Sequence, residues 1–158
     1  MKRQRGALSA ELSFSLVTSV ILLVTLVPPI YHAAADYRSS RDIQAHIDTI
    51  VQQSRLHYAE QVLETRCLAQ SALDMNELTL PNEESGVRYD VAYQQTTQTN
   101  ARPSGIDVTV TIEETKLQGS AAWLSPDEQR DNELIFHFPL DYQLPDYQEL
   151  DIDTGCIR

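Results

Sequence analysis

Glycine is nearly missing from the first half of this chain: after Gly6 none occurs until Gly86. Glycine is the residue that most readily lets a backbone turn back on itself, so its absence over such a stretch favours one continuous element. Basic residues are scarce as well, 12 Lys and Arg against 23 Asp and Glu, for a net charge of −11. A body so acidic repels phosphate backbones and disfavours a nucleic-acid partner. No HExxH pair, CxxC pair, glycine-rich phosphate loop or nucleophile elbow occurs, so no common catalytic pattern is present. The four histidines are His32, His46, His57 and His137. On a helix His46 and His57 would stand about 16 Å apart, too far to share a metal ion. Asp146, Glu149, Asp151 and Asp153 offer oxygen ligands near the C-terminus, but without an EF-hand pattern they read as a solvated acidic face. The expectation is a protein that is not an enzyme and carries no cofactor or resident metal.

Charge is absent altogether from residues 12–31, twenty positions in a row. A helix of about 20 residues at 1.5 Å each crosses the hydrocarbon core of a bilayer. Lys2, Arg3 and Arg5 precede the run, which predicts a cytoplasmic N-terminus and an extracytoplasmic remainder. Cleavage after Ala35 as a secretory signal is the lesser alternative, since Pro28, Pro29 and Tyr31 suit a signal-peptide cleavage region poorly. The two cysteines, Cys67 and Cys156, would then lie in an oxidising compartment. There an even count suggests one disulfide, the alternative being two buried thiols. A bridge closing so long a loop contributes about 4–5 kcal/mol in the chain-entropy model. At the head of the apolar run stands Glu11, a carboxylate whose ionised form costs about 2.5 kcal/mol or more near mid-membrane.

Beyond the span the pattern becomes amphipathic. Ile43, Ile47, Ile50, Val51, Ser54, Tyr58 and Val62 recur at steps of three and four, with charged residues largely between them, as a helix with one buried face requires. One helix is predicted from about residue 8 to about residue 65, bent at Pro28-Pro29, where two amide hydrogens are lost. It would be roughly 85 Å long, so half of it must protrude from a domain of this size. Then the period changes to two. Val87, Tyr89, Val91 and Tyr93 alternate with polar residues, as do Ile106, Val108, Val110 and Ile112; Leu134, Phe136, Phe138 and Leu140 also take alternate positions. These predict three antiparallel strands, each with an apolar face. Residues 117–124 (LQGSAAWL) allow a fourth, and Trp123 reads there as a core residue. Ser125-Pro126-Asp127-Glu128 reads as a capping box opening a short helix. The fold class expected is α+β: a long bent N-terminal helix whose outer half packs on a small antiparallel sheet of three to four strands.

The spacing of the opening residues carries more than any one of them. Gly6 follows a short basic leader, Glu11 is the fifth residue after it, the apolar run follows at once, and Pro28 is the twenty-second. In this the chain resembles the type IV pilin superfamily: pilins, minor pilins and the pseudopilins of type II secretion. The resemblance implies that residues 1–6 are a prepilin leader, cut between Gly6 and Ala7 by a prepilin peptidase that also methylates the new amine of Ala7. It implies a membrane-spanning assembly segment over 7–31, an amphipathic helical half over 32–66, and a β-rich extracytoplasmic domain over 67–158. It implies that Glu11 serves assembly and that Pro28 is the helix-kinking proline. Its partners would be other pilin or pseudopilin subunits, an inner-membrane assembly platform and membrane lipid, with the C-terminal domain periplasmic or, after assembly, in a surface filament. The family's usual start after the cut is phenylalanine, threonine, leucine, isoleucine, glutamate, leucine; ALSAEL matches it at Glu11 and Leu12. That start, and the position of Cys67 just beyond the helix, lean toward a minor pilin or a pseudopilin, the Tad type included. The competing expectation is an uncut single-pass anchor carrying an extracytoplasmic binding or sensor domain.

Overall fold

The chain rises out of one helix. In a computed structural model describing residues 4–70, 73–95, 102–140, 150–151 and 153–157, α1 spans Gln4–Thr65, 62 residues with Pro28 and Pro29 inside it. Of residues 4–11, 116 and 150 only the backbone is described. The seven residues expected on the sticky face, Ile43, Ile47, Ile50, Val51, Ser54, Tyr58 and Val62, are all buried. Ser54 sits in that apolar stripe without penalty because its hydroxyl donates to the Ile50 carbonyl at 2.7 Å. The helix ends at Arg66, whose backbone enters the left-handed region (φ 57°).

A sheet receives this face. It is built from β1 (Glu83–Glu84), β2 (Val87–Gln94), β3 (Gly105–Ile112), β4 (Glu128–Arg130) and β5 (Glu133–Pro139), in the order β1-β2-β3-β5-β4, with every neighbouring pair antiparallel. The register sets Val91 opposite Val108 and Val108 opposite Phe136, so alternate side chains of three strands meet α1 in one apolar layer. In β2 the alternation of buried and exposed positions is complete, leaving the other sheet face to water. Ser85 and Gly86, both at positive φ (54° and 78°), turn β1 into β2, the pairing that suits a two-residue hairpin.

Thus the α+β class and the three long strands are as expected, and two short strands extend the sheet at its edges. The rest of the expectation needs correction. Residues 115–121 are not a strand: Thr115–Leu117 is a single 3-10 turn running into α2, Gln118–Ala121. Leu117, Ser120, Ala121 and Leu124 face inward at helical spacing. Nor does Ser125 open a helix. The next element is the extended β4, and Asp127 instead accepts the amide hydrogen of His137 through Oδ2 at 2.7 Å.

The C-terminal end is not shapeless. β6 (Leu150–Asp151) pairs with β7 (Cys156–Ile157), and Cys67 is bonded to Cys156. On either side of the bridge, Leu68 N–H donates to the Gly155 carbonyl and Ile157 N–H to the Arg66 carbonyl, both at 2.8 Å. The tail is therefore stitched to the end of α1, and Tyr58 adds a hydroxyl bond to the Leu68 carbonyl at 2.9 Å. Asp146 and Glu149 of the acidic stretch lie outside the described residues.

Candidate functional site

Two halves of one helix live in different surroundings. From residue 12 to residue 35 every side chain of α1 is exposed, and the large apolar ones are numerous; Phe14 reaches 76% and Ile30 65%. No packed core accounts for this surface, since the globular layer begins only where Asp36 becomes half-covered and Ser40 buried. A segment that is long and apolar enough to cross a membrane, with none of its residues buried, is a candidate anchor. Its polar groups are adapted to such a medium. Thr18 donates its hydroxyl to the Phe14 carbonyl at 2.8 Å and Thr25 to the Ile21 carbonyl at 2.9 Å, which removes the penalty of an unsatisfied hydroxyl in hydrocarbon.

Gly6, Ala7 and Glu11 all fall within α1. They sit on its N-terminal turns, at the head of the exposed apolar run. Ala7 and Glu11 are four residues apart and hence on one side of the helix. Pro28 and Pro29 fall inside α1 as well. Neither has an amide hydrogen, so the carbonyls of Val24 and Thr25 are deprived of their usual helical donors. Cys67 and Cys156 form their bridge at the far end. The fold thus sets Gly6 and Ala7 at the opposite end of α1 from the disulfide, about 87 Å away if the helix from Ala7 to Thr65 is straight.

On the globular part, two histidine sites stand out that the sequence did not reveal. His137 and Asp107 are cross-strand partners in the β3–β5 register, and their Nδ1 and Oδ1 atoms are 2.7 Å apart, with Glu128 Oε1 at 3.7 Å from Nε2. The Asp107 hydrogen bond holds the His137 pKa above its ordinary value; burial opposes it, and the charges of Asp107, Asp127 and Glu128 add to the rise. Both residues occupy outward positions of strands that the alternation had found. Their meeting depended on the pairing register, which the sequence alone left unassigned.

His46 lies on α1 against β2. Its Nδ1 is 2.9 Å from Glu84 Oε2 and its ring centroid 4.3 Å from that of Tyr89. Burial, then the charges of Glu84 and Asp42, push the Tyr89 pKa up to about 12. These side chains line a cleft of about 210 Å³ together with Ser39, Ile43 and Leu117. Among the described residues no group of three histidine, cysteine or carboxylate side chains is placed to hold a metal ion.

Trp123 is the remaining surprise. Expected in the core, it is 53% exposed, while Leu124 beside it takes the buried position. Its ring meets that of Tyr37 edge-on, with centroids 5.5 Å apart. Compared with family models, with curated proteins and with solved structures, the chain matches none.

Proposed function

We propose that this chain is a minor pilin or pseudopilin: a membrane-inserted subunit, cut between Gly6 and Ala7 and methylated on the Ala7 amine, that joins or primes a pilus-like or secretion filament. The observation that supports it best is the wholly exposed apolar stretch of α1, headed by Glu11 at five residues beyond Gly6. A lone anchor needs no acid there. An assembling one has a use for it. Cleavage creates a positive amine at Ala7, and in low dielectric that charge and the Glu11 carboxylate are each unfavourable alone and strongly attracting together. The Ala7 amine of an incoming subunit against Glu11 of its neighbour favours a single axial register.

In this reading the chain performs no catalysis and is itself the substrate of the prepilin peptidase. Its N-terminus starts in the cytoplasm of a cell with an inner membrane, and residues beyond the span reside in the periplasm, where oxidation of Cys67 and Cys156 is expected. Missing amide hydrogens at Pro28 and Pro29 provide a place where the helix yields when subunits crowd around one axis.

Mass spectrometry of the protein purified from membranes tests the reading. The expected mature species begins at Ala7 and carries one methyl group. An intact leader on the mature protein overturns it in favour of the uncut anchor with an extracytoplasmic domain.

A further inference from the structure

The exposed Trp123–Tyr37 pair stands at the junction of the two halves of the molecule, where α2 comes down on α1. Trp123 is tied to α2 by its amide, which donates to the Ser120 carbonyl at 3.0 Å. Ser120 and Leu124 are buried on either side of it. The approach of α2 to α1 is close: a Cβ added at Gly119 would lie 2.7 Å from the Asp36 Cγ. Trp123 is therefore carried on a braced segment rather than a free loop. Tyr37 is 46% exposed on the facing side, and the guanidinium of Arg41 lies 3.5 Å from its hydroxyl.

Helix geometry sets where this pair stands relative to a bilayer. If residues 12–31 fill the hydrocarbon core, the Cα of Tyr37 lies about 9 Å further along α1. The polar headgroup layer is about 5–8 Å thick on each side. Side chains on a helix lean toward its N-terminus, so the Tyr37 ring covers the turn before it, back toward the lipid. Tyrosine and tryptophan are the residues that prefer this layer, with an apolar ring and one polar atom each. The protein as a whole is acidic, with net charge −11, so the local cations matter: an exposed tryptophan beside the exposed Arg38 and Arg41 suits a layer of zwitterionic phosphocholine headgroups better than open water.

We propose that Trp123 and Tyr37, with Arg41, form a headgroup anchor that seats the globular domain on the outer surface of the bilayer its helix crosses. The occupant of this face is lipid. The anchor fixes the depth of the subunit before assembly, and it rests on the membrane-spanning part of the function proposed above, not on cleavage or polymerisation.

The chain contains one tryptophan, so its fluorescence reports this site alone. The full chain is reconstituted into phosphatidylcholine vesicles carrying bromine either near the headgroup end or near the methyl end of the acyl chains. It is compared with the same protein in vesicles without bromine, and aqueous iodide is added in parallel. Bromine near the headgroup should quench Trp123 about twofold more than bromine near the methyl end, with iodide quenching weak, as an interfacial ring requires. Replacing Tyr37 (Tyr37→Ala) should reduce the lipid quenching and raise that by iodide. Strong iodide quenching with no effect of either brominated lipid overturns the proposal, and so does shielding from both quenchers, which assigns the face to a second copy of the chain. Flotation of the same vesicles separates the two readings. Protein that floats with Trp123 open to iodide defeats the anchor alone, whereas protein that fails to float defeats the spanning helix and the anchor with it.

Discussion

Glu11 and His137 are charged or chargeable groups whose surroundings decide their worth. For Glu11, the proposed pairing predicts that Glu11→Ala inserts into the membrane and is cut after Gly6, yet enters filaments at a level reduced by about tenfold or more, as loss of a low-dielectric ion pair implies. Immunoblotting of sheared filaments against membranes measures it, and wild-type incorporation of the variant would remove the pairing mechanism. For His137 the sign follows from its raised pKa. The folded protein holds the proton more tightly than the unfolded chain, so the stabilisation is fully present below the ordinary histidine pKa of about 6.5 and fades as pH rises through the higher folded value. Because His137 sits at the surface, the amount is below about 1 kcal/mol. His137→Asn should lower the urea midpoint below that range and match wild type above it. Equal midpoints at all pH values would show that Asp107 contributes nothing through the proton. Neither the pair nor its effect could be read in advance, since 30 residues separate His137 from Asp107 and only the strand register joins them.

At the scale of single elements, the outer half of α1 supplies one face of the core. Ile47 is fully buried in the layer between helix and sheet. Ile47→Ala should destabilise the domain by about 2–5 kcal/mol, visible as a lower thermal midpoint with circular dichroism otherwise unchanged. A loss under about 1 kcal/mol would mean that the layer relaxes around the gap, as a loosely packed core can. This element was the most legible part of the sequence. Ile43, Ile47, Ile50, Val51, Ser54, Tyr58 and Val62 mark the buried face at helical steps, and β2 shows a strict alternation. Residues 117–124 were less clear because the segment is short and rich in small residues. The spacing of Leu117, Ser120, Ala121 and Leu124 was the available sign of a helical turn. It also leaves Trp123 on the outer side. The motif at Ser125 failed for a different reason: Asp127 finds a better use in tying β5 through the His137 amide. β4 holds no apolar residue, so nothing in its composition marked it as a strand.

For the molecule as a whole, the bridge between Cys67 and Cys156 closes a separation of 89 residues. One long helix face on a thin sheet buries a modest core, and the bridge makes up part of the deficit. Its removal, as Cys67→Ala with Cys156→Ala, should lower stability by about 4–5 kcal/mol in the chain-entropy model, measured by urea titration of the full chain in mild detergent. An unchanged midpoint would show that the hydrogen bonds of Leu68 and Ile157 hold the tail unaided. The pairing of these two cysteines was foreseeable from the compartment that the apolar run implied. The small β6–β7 hairpin around them was hidden, since two-residue strands carry no periodic signal.

In the proposed function the subunit must leave the membrane, and the exposed half of α1 bears on how. From residue 12 to residue 35 every described side chain of α1 is exposed, so the domain owes nothing of its interior to that stretch. Pulling residues 12–35 from lipid into a bundle of neighbours would take nothing from the packed core of the domain. In that proposal the head travels as passive freight, and the work of extraction falls to whatever engine drives assembly and to the neighbouring helices that receive it.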